Sequence, residues 1–210
     1  MKRDWRVYVI TDAEARGRSH REIAEAAILG GATAVQLRMK EKPARVIIET
    51  ARAIAPLCRA AGVTFVLNDR VDVALAAGAD GAHVGQEDLP ATDARRFLGS
   101  GRVLGVSAAT EAEAAAAWRS GADYLGVGAV YATGTKADAG PPVGLDRIRA
   151  IARAVPLPVI GIGGITVENA AAVLRAGAAG VAVITAVTLA DDMVAATRRL
   201  REQVDATLAG

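Results

Sequence analysis

The stretch Gly78-Ala79-Asp80-Gly81-Ala82-His83-Val84-Gly85 decides how this chain reads. A helix-like run ends at the Gly-Ala pair, and a short β-rich apolar run begins almost at once. The same phrase recurs at Gly31-Ala32 before Ala34–Arg38, at Gly121-Ala122 before Tyr124–Gly128, and at Gly177-Ala178 before Gly180–Ile184; Gly62 before Val63–Asn68 is a looser instance. Glycine can take the left-handed conformation that closes a helix, so each phrase marks a helix end and an immediate return to the sheet.

Working outward, the apolar runs place strands at Arg6–Thr11, Ala34–Arg38, Thr64–Asn68, Gly81–Gly85, Arg102–Val106, Tyr124–Gly128, Pro158–Gly161 and Gly180–Ile184, each followed by a helical stretch. Eight such units with right-handed crossovers can close on themselves. Their short, even spacing favours a closed α/β fold, the (β/α)8 TIM barrel, over an open doubly wound sheet. At 210 residues the chain is expected to form one catalytic domain spanning 1–210. The composition agrees: 52% of residues are hydrophobic but only 3% aromatic, so the apolar mass is aliphatic, as strands covered by helices require.

Several function classes are disfavoured. The net charge is +2, with basic and acidic residues interspersed, which predicts no nucleic-acid or membrane partner. Met1 to Trp5 shows no apolar targeting core, and the apolar stretches are strand-length, so a cytoplasmic protein is expected. The single cysteine, Cys58, lies in the helical segment Ala44–Ala61 and reads as a small buried hydrophobe. The sequence leaves a homo-oligomer open.

A barrel carries its chemistry at the C-terminal strand ends, and here those ends are polar. After the second strand, Gln36, Arg38 and Lys40 are spaced by two, which predicts one side of an extended chain, with Leu37 and Met39 on the other. A solvated strand end paired to Glu41 is the plainer reading. Asn68-Asp69-Arg70 and Gly85-Gln86-Glu87-Asp88 close the third and fourth strands. Asp69 and Asp88 alone could be a helix cap before Val71 and a turn before Pro90. As a pair beside two cations they are candidate ligands for Mg2+, a hard ion that takes one or two carboxylates and leaves its other positions to water and phosphate. His83 reads as a packed, hydrogen-bonded strand residue and His20 as a surface one. Ser107 offers a hydroxyl but no neighbouring base.

The loop Thr133-Gly134-Thr135-Lys136 has the chemistry of a segment that folds over an anion, without the spacing of a P-loop. Gly163-Gly164 after the seventh strand and Ile184-Thr185 after the eighth occupy the positions where barrels commonly bind phosphate through backbone N–H groups. Two anion sites share one face. The first, with a metal and three cations, carries more positive charge than a monophosphate needs, which points to a diphosphate.

Seven ordered motifs resemble the thiamine phosphate synthase family: Tyr8-Val9-Ile10-Thr11-Asp12, Gln36-Leu37-Arg38-Met39-Lys40, Asn68-Asp69-Arg70, Asp80 through Asp88, Gly105-Val106-Ser107, Thr133-Gly134-Thr135-Lys136, and Ile162-Gly163-Gly164-Ile165. The resemblance implies a transferase of thiamine biosynthesis with two small-molecule substrates, hydroxymethylpyrimidine diphosphate and hydroxyethylthiazole phosphate. It assigns Gln36 to Lys40, Asn68, Ser107 and Lys136 to the first substrate, and Asp69 and Asp88 to Mg2+. Thr133 to Thr135, Gly164, Ile184 and Thr185 go to the second. It puts Arg38, Lys40, Lys136 and Ser107 in the catalytic set, and implies a dissociative reaction in which diphosphate leaves first. Thr185 stands where the family often has Ser, and Met39 where it commonly has an acidic residue. The rival readings are a thiazole tautomerase-like barrel and a non-catalytic sensor of thiamine phosphates.

Overall fold

The computed structural model describes residues 3–12, 16–134 and 142–210. Eight parallel strands close in sequence order: β1 Val7–Thr11, β2 Ala34–Leu37, β3 Thr64–Asn68, β4 Gly81–Val84, β5 Val103–Ser107, β6 Tyr124–Val127, β7 Val159–Ile162 and β8 Gly180–Val183. The last strand pairs with the first, Tyr8 opposite Ala182, so the sheet has no edge. Around it lie α1 His20–Leu29, α2 Ala44–Ala61, α3 Val71–Ala77, α4 Ala91–Leu98, α5 Glu111–Arg119, α6 Gly144–Ala154, α7 Val167–Arg175, α8 Thr185–Thr188 and α9 Met193–Ala209. Strand bounds fall within a residue of those expected. The four-residue α8 was not anticipated; α9, which follows it, packs against α7, α1 and β1.

The recurring phrase works as its chemistry requires. Gly31, Gly62, Gly78, Gly121 and Gly177 all have positive φ, between 67° and 106°. In two repeats the next polar residue also pins the neighbouring strand: Asp80 Oδ2 accepts from Phe65 N at 2.9 Å and Asp123 Oδ2 from Leu104 N at 2.7 Å. Helix starts are capped where the sequence allows it. Ser19 and Glu22 form a reciprocal capping box on α1.

Alternation along the strands creates two cores. Outward-facing residues such as Val9, Val35, Leu37, Phe65 and Leu67 meet the helices, joined by the Ile47, Ile54 and Cys58 stripe of α2. Cys58 is fully buried, and burial pushes its thiol up to about 12. Inward-facing residues, among them Trp5, Tyr8, Ile10, Val66, Tyr124 and Ile160, fill the barrel itself. Three aromatic rings meet here: the Trp5 and Tyr124 ring centroids are 4.2 Å apart, and Tyr8 lies edge-on to Tyr124. Among the described residues no helix is long and apolar enough to cross a membrane.

Candidate functional site

A cavity of about 380 Å³ opens at the C-terminal mouth of the barrel and reaches down to Tyr8 and Tyr124. Its walls differ in kind.

On the β2–β4 side the wall is made of side chains, Gln36, Lys40, Asn68, Asp69 and Asp88. Asp69 holds a φ of 62°, uncommon for a residue with a side chain, and its N–H donates to the His83 carbonyl at 2.8 Å. Its carboxyl is pushed up to about 6, first by burial and then by the hydrogen bond and charge of Asp88, against the opposing pull of Lys40 and Arg38. Two carboxylates this close repel each other when both ionise, and a divalent cation relieves that repulsion. Among the described residues no third His, Cys, Asp or Glu completes a cluster. The pair therefore fits Mg2+ bound by two carboxylates, with water or ligand oxygens completing its shell. The capping reading of Asp69 does not hold, because Arg70 occupies the N-cap of α3 and no side chain caps that helix. Asp88 does serve a turn, but the one at the β4 exit and not one before Pro90: its Oδ2 accepts from Gly85 N at 2.7 Å.

The expected alternation beyond β2 is not met. The strand ends at Leu37 and the chain turns, so Gln36 and Lys40 reach the cavity wall while Arg38 does not. Arg38 sits just behind, Nη1 3.9 Å from Asp12 Oδ2, and its buried Nε has no hydrogen-bond partner among the described residues. Its charge still acts on Asp69. Leu37 and Met39 pack into the outer core.

On the β7–β8 side the wall is largely backbone. Gly163 and Gly164 have φ of 96° and 65°. A Cβ on Gly164 would stand 2.7 Å from the Ala132 carbonyl oxygen, so the glycine lets the β6 loop lie against this wall. Asn169 of α7 fixes it, donating from Nδ2 to the Gly164 carbonyl at 2.9 Å. Ile184 is the N-cap of α8 without a side-chain capping bond, and Thr185 begins the helix, both lining the cavity. At the other end of α8, Arg18 Nη1 donates to the carbonyls of Thr188 at 3.0 Å and Ala190 at 2.6 Å. Thr133 also lines the cavity; Gly134 does not. Thr135 and Lys136 lie outside the described residues.

The floor joins the two sides, and the residue-by-residue reading did not foresee it. Gln36 Nε2 donates to Tyr8 Oη at 2.9 Å, Tyr8 and Tyr124 share a hydroxyl contact at 2.9 Å, and His83 lies between Tyr124 Oη (Nδ1, 3.0 Å) and Ser107 Oγ (Nε2, 3.0 Å). Burial raises both phenols well above their ordinary range, so they stay protonated. His83 is thus packed and hydrogen-bonded as expected, and it also faces the cavity. The signal available in sequence was the period of two within β1, which puts Tyr8 in phase with Ile10; Gln36, opposite Ile10 on β2, also faces inward. His20 departs from the surface reading: it starts α1 half-buried, its Nδ1 2.7 Å from Thr11 Oγ1.

With this geometry in view, residues 7–187 match the sequence profile described as thiamine monophosphate synthase. A thiamine-phosphate synthase of Chloroflexus aurantiacus is 57% identical over 205 residues, covering 97% of this chain and 94% of that protein. One from Moorella thermoacetica is 57% identical over 201 residues, 95% of this chain and 96% of its own length. The solved structure of a thiamine phosphate pyrophosphorylase from Pyrococcus furiosus superposes with a TM-score of 0.91 at 40% identity, covering 99% of this chain and 98% of that one.

Proposed function

Because the chain belongs to the thiamine monophosphate synthase family, we propose that it is the transferase that joins the hydroxymethylpyrimidine group of a diphosphate to the nitrogen of hydroxyethylthiazole phosphate, releasing diphosphate. The observation that carries this reading within the site is the two-sided mouth: a carboxylate pair with Lys40 on one wall, and glycine backbone with the start of α8 on the other. One wall suits a departing, highly charged group. The other suits a phosphate that only anchors.

In the reaction the bond between the pyrimidine methylene carbon and the diphosphate oxygen breaks, its electron pair leaving with the diphosphate. The thiazole nitrogen then supplies the pair that forms the new carbon–nitrogen bond. No proton has to be removed, so no general base is needed. Asp69 and Asp88 would hold Mg2+, which supplies Lewis-acid neutralisation of charge developing on the leaving group. Lys40 and Arg38, with Lys136 proposed alongside them, stabilise the same charge through direct or longer-range attraction. Gln36, Asn68 and Ser107 orient the pyrimidine part, with Leu37 and Met39 holding the β2 exit by packing behind it. Ile160, Ile162, Ala182 and Ile184 make the deep wall apolar, which keeps water from capturing the short-lived pyrimidine methyl cation. Thr133, Gly134 and Thr135, with Gly164, Ile184 and Thr185, receive the thiazole phosphate and hold its nitrogen in line. The reading treats 1–210 as one catalytic domain working in the cytoplasm.

The experiment is a direct one. The purified protein is given both substrates with and without Mg2+, and thiamine phosphate is measured. Product that depends on the metal supports the proposal; no product with the metal present refutes it.

A further inference from the structure

The polar floor has a direction, and the direction follows from what each atom can do. Gln36 Nε2 is a donor only, so the Tyr8 oxygen must accept from it at 2.9 Å. The Tyr8 and Tyr124 oxygens lie 2.9 Å apart, a contact in which either can donate; because Gln36 already donates to Tyr8, the order that leaves no buried proton unmatched has Tyr8 donating to Tyr124. Tyr124 in turn passes its hydroxyl proton to His83 Nδ1 at 3.0 Å. A neutral imidazole that accepts at Nδ1 carries its proton at Nε2, and that N–H points at Ser107 Oγ, 3.0 Å away. The Ser107 oxygen then serves as acceptor inside the protein, and its own proton turns toward the cavity that Ser107 lines.

The barrel is hollowed to hold this chain. A Cβ on Gly105 would fall 2.2 Å from Tyr124 Cζ and 2.5 Å from His83 Nδ1, and one on Gly126 would stand 3.0 Å from His83 Cε1. Glycines at these two strand positions leave room for the imidazole and the phenol to meet. Tyr8 and Tyr124 are 2% and 0% exposed, so the chain is shielded from exchange with solvent along most of its length. Burying polar side chains is stabilising only where each is satisfied, and a one-way order gives the Tyr8 and Tyr124 hydroxyls and both ring nitrogens of His83 a partner.

The geometry points to Tyr8, Tyr124 and His83 as positioning residues that hold His83 in its Nε2–H form and so make Ser107 a one-way hydrogen-bond donor to an acceptor atom of the pyrimidine-bearing substrate, a ring nitrogen. This rests on the reaction proposed above only for the identity of the ligand. The order of donors is a property of the protein without substrate.

The test begins with the unliganded protein. The chain has two histidines, and a His20→Asn variant assigns their signals. In ¹⁵N-labelled protein at neutral pH, His83 is expected to show a protonated Nε2 and an unprotonated Nδ1. The opposite tautomer overturns the proposal, whatever the enzyme assay gives. Absence of thiamine phosphate from the wild-type enzyme would instead remove the proposed reaction and leave the tautomer result standing. Tyr124→Phe keeps the ring beside Trp5 and removes the donor to His83. It is expected to produce a mixture of tautomers and to raise KM for the pyrimidine diphosphate about tenfold, with KM for the thiazole phosphate unchanged. In a Ser107→Ala background the same change should add almost nothing, because there is no longer a hydroxyl to direct. A full tenfold effect in that background overturns the proposal. Should Tyr124→Phe fail to fold, Tyr8→Phe breaks the chain one link earlier and is expected to mix the tautomers as well; a His83 signal that stays in the single Nε2–H form overturns the relay.

Discussion

Strands β2 to β4 bring ionisable side chains to the mouth of the barrel, whereas β7 and β8 bring backbone. The first wall holds Asp69, Asp88 and Lys40, and the Asp69 carboxyl is raised by burial and by Asp88 against the opposing pull of Lys40. The second holds Gly164 and the uncapped start of α8, whose dipoles are fixed by the fold and by Asn169 and Arg18 behind them. One cavity can thereby treat two phosphorylated ligands unequally. A group that must depart with growing charge needs a wall that supplies ions, while an anchored group needs only amides at constant positions.

The comparison can be broken most forcefully at Asp69. Its side chain caps no helix, so Asp69→Asn removes charge with little structural consequence. Turnover is expected to fall about 1,000-fold while KM for the thiazole phosphate holds, as measured by steady-state kinetics. Equal damage to both substrates would erase the distinction between the walls. Lys136→Ala comes next, with a loss of about 100-fold in turnover and an unchanged melting temperature. On the opposite wall Gly164→Ala is expected to raise KM for the thiazole phosphate about tenfold with a smaller effect on kcat. Its new Cβ must displace the Ala132 carbonyl and adopt a φ of 65°.

The smallest effect is a matter of pH, and its sign follows from Asp69. That carboxyl titrates near 6 in the folded protein against 3.8 in the ordinary case, so between those values the folded state holds a proton that the unfolded state has released. Its contribution to stability in the metal-free protein is therefore fully present below about 3.8 and is lost as pH rises through 6. Mg2+ must compete with that same proton. Its affinity is expected to weaken by no more than about tenfold between pH 6 and pH 5, measured by calorimetry. Thiazole phosphate affinity at fixed ligand ionisation should show no such step from this group.

The two walls and the floor were not equally legible. The outer core was readable because it repeats: a glycine with positive φ, then a short aliphatic strand, at intervals along the chain. Asp69, Asp88, Gly164 and Thr185 could be placed at the mouth because each lies in the short segment that leaves the C-terminal end of such a strand. Arg38 lies behind Gln36 and Lys40 instead of beside them, since an alternation argument holds only while the strand lasts and β2 ends at Leu37. Helix α8 was hidden by its length, four residues of which three are β-branched, with no capping side chain. The floor was hidden for another reason. Gln36, Tyr8, Tyr124, His83 and Ser107 come from five strands, and nothing local in any one of them announces the other four.

The measurement that bears most directly on the two-walled mouth is a crossed titration. Magnesium diphosphate and thiazole phosphate are each titrated into the wild-type protein, Asp69→Asn and Gly164→Ala. Asp69→Asn is expected to lose magnesium diphosphate and keep thiazole phosphate, and Gly164→Ala to do the reverse. A single variant that weakens both ligands equally, or a swap of the two losses, would contradict that expectation.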